Sequence, residues 1–435
     1  MQFIVIGISD QANPFFPPEV LETIRRGRVF SGGRRHHDIV APLLPQDALW
    51  IDIATPLDTV FEQYTSLTTH AEPLTTNAAP PPTEIVVFAS GDPLFFGFAN
   101  TIHSRMPDAD IRLYPAFNSL QMLAHRLLMP YHDMRTVSLT GRPWPELDRA
   151  LIERAPKIGI LTDREHTPAA IARRLIDYGY CCYVMHIGEH LGNPPEERVT
   201  TTTLSDAAYR HFATPNCVIL STSRQLCSDT ATAPYPTPTI GAPLAPVSRT
   251  FGLPDSSFAL LDGREKMITK MPIRLLTLQA LELPRRHVLW DIGACTGSVS
   301  IEARLLFPHL RVVAFEIRPE CEAIISENCR RHHAPGIELH IGDFRRLCCD
   351  GIAPPDAVFI GGHGGQLQAI MAKVLTMLAP GGVIVMNSVA APRVATDSRL
   401  LWDDACRQLG LQQEPPMRIQ TDGHHPITIL KCRKQ

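Results

Sequence analysis

The stretch LWDIGACTGSVSIEA, residues 289–303, decides the fold of the C-terminal half, and the AFE ending at Glu316 completes it. Val288, Leu289, Trp290 and Ile292 favour a strand. A loop bounded by Gly293 and Gly297 follows, and then apolar residues recur at helical spacing. A second apolar run, 312–315, ends on an acid 19 residues after Gly297. That is the layout of a β-loop-α-β unit holding a nucleoside: the loop admits close backbone approach, and the acid pairs with ribose hydroxyls. The loop reads G-x-x-x-G, with Cys295 where a dinucleotide site needs its second glycine to admit a pyrophosphate. Asp291, just before the loop, suits a cationic ligand better than a diphosphate. These details favour S-adenosylmethionine, bound by Gly293, Ala294, Cys295, Thr296, Gly297 and Glu316. A plain strand–helix turn is the bland alternative, and the acid at this spacing weighs against it.

A chain of 435 residues is too long for one ordinary core, and two domains of about 200 residues each are the natural expectation. Hydrophobic residues at 44% and charged residues at 20% mark a globular protein. A net charge of −3 gives no electrostatic footprint for nucleic acid. No stretch resembles a membrane span, and the opening MQFIVIGIS has neither a basic flank nor a cleavage site. The 11 cysteines are scattered, with no C-x-x-C. Neither a disulfide framework nor a metal site follows, so the thiols read as reduced and the chain as cytoplasmic.

The clearest boundary is the run rich in Pro, Ala and Thr at 228–248, within a linker spanning 228–254. It separates an N-terminal domain, 1–227, from a C-terminal one, 255–435. A smaller interruption at 72–84 reads as a surface insertion. Before the linker, strands at 3–8, 85–89, 111–114 and 157–161 alternate with helices near 19–26, 95–105, 119–128 and 168–178. Runs at 182–187 and 217–221 complete a second small sheet, giving an α/β architecture in two lobes around a cleft. After the linker, strands at 288–292, 312–315, 337–341, 357–360 and 383–387 imply a doubly wound sheet with ligands at the carboxyl ends of its strands.

In the first half, Ser90, Gly91 and Asp92 follow a strand as a tight turn, Asn118 and Ser119 follow another, and Leu161-Thr162-Asp163 ends a third. Three polar strand ends of this kind can converge on one cleft. The segments FIVIGIS, FSGGRRHHDIV, ASGDPLFFG, AFNSLQMLAHRL, VSLTGRP and LTDREHTPAAIARRLIDYG, in that order, resemble the tetrapyrrole methylases of cobalamin biosynthesis. They are most similar to the domain that methylates C5 of the corrin precursor, over about residues 1–225. The resemblance implies a two-lobed tetrapyrrole methylase fold and places S-adenosylmethionine on Ser90, Gly91, Asp92, Asn118 and Ser119. The first loop departs from the family, keeping only Gly7 of several glycines. Arg34 and Arg35 lie in a loop beside two histidines. They are either solvated or turned to the carboxylates of the macrocycle, which arginine forks bind bidentately.

In the second half, Thr269 and Lys270 precede a helix that caps the sheet. Asp343 follows the third strand, where an acid can pair with the adenine amino group, and Phe344 either stacks on adenine or fills the core. Four glycines around His363 leave room for something flat, or simply make a flexible loop. Asn387 ends the fifth strand. This set is similar to the decarboxylating C15-methyltransferase domain of the same pathway, a Rossmann-like fold. The resemblance carries cofactor contacts to Thr269, the 293–297 loop, Glu316, Asp343 and Phe344. Gly361, Gly362, Gly364 and Asn387 are then expected to face the substrate.

Both halves together imply two S-adenosylmethionine sites acting on one corrin precursor, metal-free or cobalt-loaded, with loss of the ring C acetate carboxyl. Positioning then carries the chemistry, which explains why no triad, metal cluster or activated nucleophile stands out. His363 is a candidate catalytic group only through its place in the loop. The C15-type domains associate as tetramers, so a homo-oligomer is expected. Two other classes remain: a module that senses S-adenosylmethionine without chemistry, and a methyltransferase acting on RNA or another small acceptor.

Overall fold

The computed structural model describes residues 1–9, 11, 14–69, 83–223, 251–264, 267–389, 398–420 and 426–434. Most of the expected linker (228–250) and of the expected insertion (72–82) lies outside the described residues. The chain divides into two compact units. One comprises Met1–Arg142, Pro156–Arg173 and Tyr183–Ser223, and the other Pro143–Ala155, Arg174–Cys182 and Arg224–Gln435. The helix at 145–152 and the end of the helix at 168–177 thus group with the C-terminal residues, which a cut at 227 did not anticipate.

The first unit holds two five-stranded sheets. Strands β1 (Gln2–Ile8), β2 (Val29–Gly32), β3 (Leu49–Asp52), β4 (Glu84–Ser90) and β5 (Asp110–Tyr114) run parallel in the order β3-β2-β4-β1-β5. Helices α1 (Pro18–Arg26), α2 (Arg34–Val40), α3 (Leu57–Thr69), α4 (Phe98–Arg105) and α5 (Ser119–Arg126) connect them to each other and onward. β1 and β4 read as unbroken apolar runs because side chains on both faces are buried, as central parallel strands require. Phe3, Val5 and Ile85 pack with Tyr64 on one face, while Ile4, Ile6 and Phe88 pack with Val20 and Ile24 on the other.

The second sheet combines β6 (Arg135–Ser138), β7 (Lys157–Leu161), β8 (Tyr183–Glu189), β9 (Arg198–Thr203) and β10 (Asn216–Thr222), in the order β6-β7-β10-β8-β9. Helices α6 (Pro145–Ile152), α7 (Pro168–Asp177) and α8 (Leu204–Ala207) follow β6, β7 and β9. The edge strand β9, RVTTTT, is polar and mostly exposed, so it has no apolar signature.

In the second unit, β11 (Val288–Ile292), β12 (Arg311–Glu316), β13 (Ile337–Ile341), β14 (Ala357–Ile360) and β15 (Val383–Val389) form the parallel part of an eight-stranded sheet. The antiparallel strand β18 (Ile427–Arg433) extends it, pairing with the short β16 (Gln412–Gln413) and β17 (Met417–Ile419). Helices α9 (Met271–Ala280), α10 (Ser298–Leu306), α11 (Glu320–Arg331), α12 (Leu367–Met377) and α13 (Ser398–Leu409) cover it. The period of two is visible in β11. Leu289 packs with Leu278 and Val299, whereas Trp290 and Ile292 pack with Met371, Val374 and Trp402. The order β13-β12-β11-β14-β15 reverses direction between β11 and β14, and a ligand crevice opens at such a switch point.

The segment leading into α9 is pinned by one buried ion pair. Arg274 is fully buried and donates from Nε to Glu302 Oε2 at 2.7 Å, and from Nη1 to the Thr269 carbonyl at 2.7 Å and Asp255 Oδ1 at 3.1 Å. Glu302 Oε1 accepts the backbone N–H groups of Gly252 and Leu253. Removing the arginine leaves a buried carboxylate without its cation, which costs about 3–5 kcal/mol. Arg274→Met is therefore expected to lower the thermal midpoint of the second unit, with partial recovery on adding Glu302→Gln. Calorimetry showing an unchanged midpoint for the single variant would contradict this.

Candidate functional site

The crevice between β11 and β14 is a cavity of about 910 Å³, within the ~300–1,000 Å³ of small-molecule sites. Its walls come from Thr269 and Lys270 before α9, the 293–296 loop after β11, Arg318 after β12, Gly361 and Gly362 after β14, and Asn387 on β15. Two loops meet there through glycine. Gly293 has a φ of +80°, and a Cβ on it would lie 2.7 Å from the Gly362 nitrogen. A Cβ on Gly361 would lie 2.9 Å from the Gly293 oxygen. Gly362 differs, since its own Cβ would meet nothing within 4 Å and its φ is ordinary. The fold therefore requires glycine at 293 and 361, whereas at 362 the missing side chain only enlarges the cavity. Gly364 (φ +53°) and Gly365 (φ +79°) serve the loop's own backbone, and Gly364 does not line the cavity.

Cys295 takes a left-handed φ of +51°, and its N–H donates to Glu316 Oε2 at 2.8 Å. Glu316 is buried at the end of β12. Its Oε1 accepts both the backbone N–H (3.0 Å) and Nε (2.8 Å) of Arg318. Burial pushes the Glu316 carboxyl up, but the Arg318 and Cys295 hydrogen bonds outweigh it and hold the group below the usual range. The acid expected to meet ribose is thus ionised but, like Gly297, does not itself line the cavity; it grips an arginine that does. Sequence reasoning missed Arg318. Its only signal is a cation two residues beyond a strand-ending acid.

Asp291 is buried and lines the same cavity. Its Oδ2 accepts the Ser300 hydroxyl at 2.6 Å, while Oδ1 is buried with no hydrogen-bond partner among the described residues, as is Thr296 Oγ1. Burial, reinforced by the negative charge of Glu316 and opposed by Ser300, raises the Asp291 carboxyl to about 6. Unpaired buried acceptors are costly, and these two fit a ligand that brings N–H donors and positive charge, as the amino-acid end of S-adenosylmethionine does.

The other expected residues of this half divide. Thr269 lines the cavity. Asn387 does too, donating from Nδ2 to Thr277 Oγ1 at 3.0 Å. Asp343 does not; it pairs with Arg345 Nη2 at 2.6 Å. The Phe344 ring is buried between Trp290 and Phe315, with Lys373 over it, so it fills the core and is not available to stack on adenine. His363 also lies outside the lining; its Nδ1 accepts the Gly365 N–H at 3.1 Å.

In the first unit a cavity of about 540 Å³ opens where β1, β4 and β5 end and Ser138, Thr140 and Thr162 face them from the second sheet. Glycines again allow the approach. A Cβ on Gly7 would lie 1.9 Å from the Gly91 oxygen, and one on Gly91 (φ +60°) 2.8 Å from Asn118 Cα. Ser90, Gly91, Asn118 and Ser119 all line the cavity. Asn118 caps α5 by accepting the Gln121 N–H at 2.9 Å. Asp92 does not line it; its Oδ1 accepts the Leu94 N–H at 2.9 Å and fixes the turn.

The expected arginine loop is instead helix α2, and this separates its two arginines. Arg34 is exposed and off the lining, whereas Arg35 lines the cavity and donates from Nη2 to Ser90 Oγ at 2.8 Å. His36, missed from sequence, lines it as well, with Nε2 3.0 Å from Ser90 Oγ. Burial, aided by the Arg35 charge, lowers His36 to about 4, so the ring is neutral at pH 7. Because Nδ1 accepts the Gly33 N–H, the ring proton sits on Nε2 and donates to Ser90. Among the described residues no group of three or more His, Cys, Asp or Glu side chains is placed to hold a metal, and no helix is long and apolar enough to cross a membrane.

Residues 3–208 match the family described as tetrapyrrole (corrin/porphyrin) methylases, and residues 262–405 match the precorrin methyltransferase domain. A Sinorhizobium protein named precorrin-6Y C(5,15)-methyltransferase [decarboxylating] is 31% identical over 386 residues, 88% of this chain and 84% of that relative. A Mycobacterium tuberculosis protein of the same name is 26% identical over 387 residues, 89% of this chain and 87% of that one. A Salmonella typhi cobalt-precorrin-6B C(15)-methyltransferase (decarboxylating) is 36% identical over 185 residues, 40% of this chain and 93% of its own. With two strand-end cavities and a match along nearly its whole length, this chain belongs to the family of decarboxylating precorrin-6Y C(5,15)-methyltransferases.

Proposed function

We propose that this chain methylates one corrin precursor twice from S-adenosylmethionine, at C5 in an N-terminal domain (1–227) and at C15 in a C-terminal domain (255–435), and there removes the carboxyl of the ring C acetate. The observation that carries the proposal is the presence of two separate cavities, each built where glycines let strand ends converge, one in each kind of methyltransferase fold. The precursor is metal-free or contains cobalt; of the relatives, one is named for precorrin-6Y and another for cobalt-precorrin-6B. The same reading makes the chain a cytoplasmic homo-oligomer, a tetramer through the C-terminal domain.

In the C-terminal cavity, Asp291 and Thr296 receive the amino-acid end of the donor beside the 293–296 loop, and Glu316, behind the lining, holds Arg318 and the Cys295 N–H at the ribose end. In the N-terminal cavity, Ser90, Gly91, Asn118 and Ser119 line the donor's place. S-adenosylmethionine, when bound, supplies an electrophilic methyl on a sulfonium. The reduced macrocycle supplies the nucleophilic carbon, so the residues of both sites align and desolvate. Arg35, with Arg34 outside the lining, brings cationic charge to a polycarboxylate at the first site. Gly361, Gly362 and Asn387 leave a flat space for it at the second. Loss of carbon dioxide leaves the bonding pair in the conjugated ring, and the remaining carbon takes a proton. With His363 off the cavity wall, that proton is assigned to no side chain.

Incubated with S-adenosylmethionine and an unmethylated precursor, the full chain is expected to yield a product heavier by two methyl groups and lighter by carbon dioxide. Titration calorimetry of the same chain is expected to count two donor sites. Donor binding without any change in product mass would establish a sensor instead. The Asp291 carboxyl gives a pH signature. Its folded value, raised to about 6, means that burial favours the protonated form, and that contribution to stability is lost as pH rises through 6. A cationic donor needs the ionised form, so its affinity at this site falls by up to about tenfold per pH unit below about 6. Asp291→Asn should bind more weakly at pH 7.5 and lack that slope. A flat wild-type profile between pH 7.5 and 5 would refute the assignment.

A further inference from the structure

The segment VSLTGRP is not absorbed by the donor site, yet it ends on the wall of the N-terminal cavity. Arg142 lines that cavity, and its guanidinium carbon lies 5.2 Å from the centre of the Phe96 ring. Among the described residues no carboxylate pairs with Arg142. The turn that presents it is firmly held. Gly141 takes a φ of +63° and donates its N–H to Asp163 Oδ2 at 2.9 Å, and the Arg142 N–H reaches the Leu139 carbonyl at 3.1 Å. Asp163 also accepts the N–H groups of Glu165 and His166. Burial pushes its carboxyl up, but these backbone donors outweigh that and hold it at about 2, so the anchor stays ionised.

Phe96 is itself unusual. It takes a left-handed φ of +53°, which a bulky side chain rarely adopts, and its ring is 42% exposed. Phe117, also lining the cavity, is 60% exposed. Two rings kept in water around a cavity, one beneath an arginine with no acidic partner among the described residues, match a ligand with a flat apolar body and anionic edges.

We infer that Arg142, seated on Phe96, reads a carboxylate on the rim of the macrocycle at the N-terminal site, while Phe96 and Phe117 receive its apolar face. This rests on the reading given above and adds the residues that select the acceptor. Arg142 is bound to neither the donor-lining serines nor the Asn118 cap, so donor affinity is a separate readout.

The test uses the full chain with Arg142→Gln, Arg142→Lys and Phe96→Ala, measuring C5 methylation against macrocycle concentration. Arg142→Gln should raise the KM for the macrocycle about tenfold with kcat retained. Arg142→Lys should fall between it and wild type, and Phe96→Ala should also raise the KM. Affinity for S-adenosylmethionine and the C15 reaction should stay at wild-type values, which also verifies folding. With the carboxylates esterified, wild type and Arg142→Gln should become equal. A KM within about twofold of wild type on the free acid overturns the inference, as does a difference that persists on the ester. If Arg142→Gln does not fold, Arg142→Lys against wild type, on the free acid and on the ester, decides alone. A wild-type chain that transfers no methyl would overturn the broader reading; macrocycle binding to wild type and Arg142→Gln, followed by absorbance, would still decide the role of Arg142.

Discussion

Both candidate sites depend on strand ends lying closer together than a Cβ permits. A Cβ on Gly7 would sit 1.9 Å from a backbone oxygen, and one on Gly293 2.7 Å from a backbone nitrogen. Neither distance is recoverable by side-chain repacking, because the obstacle is main chain. The consequence is the same in two unrelated sheets. Backbone from neighbouring strand ends forms a floor, and residues at or just beyond each strand end are carried to one mouth. In the first unit these are Ser90, Asn118 and Thr162; in the second, Thr296, Gly362 and Asn387. Parallel strands place their carboxyl ends on one side, so a single close contact gathers several loops.

The charges around the second cavity are arranged unevenly. Glu316 is satisfied by Arg318 and a backbone N–H and stays ionised, whereas Asp291, fully buried nearby, has one oxygen unpaired and a raised carboxyl value. Two carboxylates so placed repel each other, and the arginine offsets only Glu316. A cationic ligand relieves Asp291. The first cavity contains no counterpart to this pair. Its wall bears Arg35, Arg142 and a neutral His36 instead, which suits an anionic acceptor.

Much of this was legible in the sequence, and what was not has specific causes. Central parallel strands such as Phe3 to Ile8 and Val288 to Ile292 announce themselves as apolar runs because both faces are covered. Edge strands do not: Arg198 to Thr203 is polar, and Leu49 to Asp52 is too short to show a period. Motif position located the glycine loops, but it did not show which glycine the fold needs and which it leaves free, since that depends on a neighbour about 70 residues away. Arg34 and Arg35 look alike in sequence and part because both lie in α2, where neighbouring residues face different directions. Phe344 and Asp343 follow the expected strand, yet the ring turns into the core and the acid to Arg345. Side-chain direction at a strand end is set by tertiary packing, which spacing alone does not contain.

The central claim is that each cavity performs one methylation of the same macrocycle. The most direct measurement is the mass of the product formed when one cavity at a time is filled by a side chain. Ser90→Leu and Gly362→Leu do this at positions on the two cavity walls, and the second adds a side chain where the fold offers it no obstacle. Given an unmethylated precursor and S-adenosylmethionine, the Ser90→Leu chain should add one methyl and release carbon dioxide. The Gly362→Leu chain should add one methyl and keep the carboxyl. Folded variants that each lose both additions, or each retain both, would contradict the account.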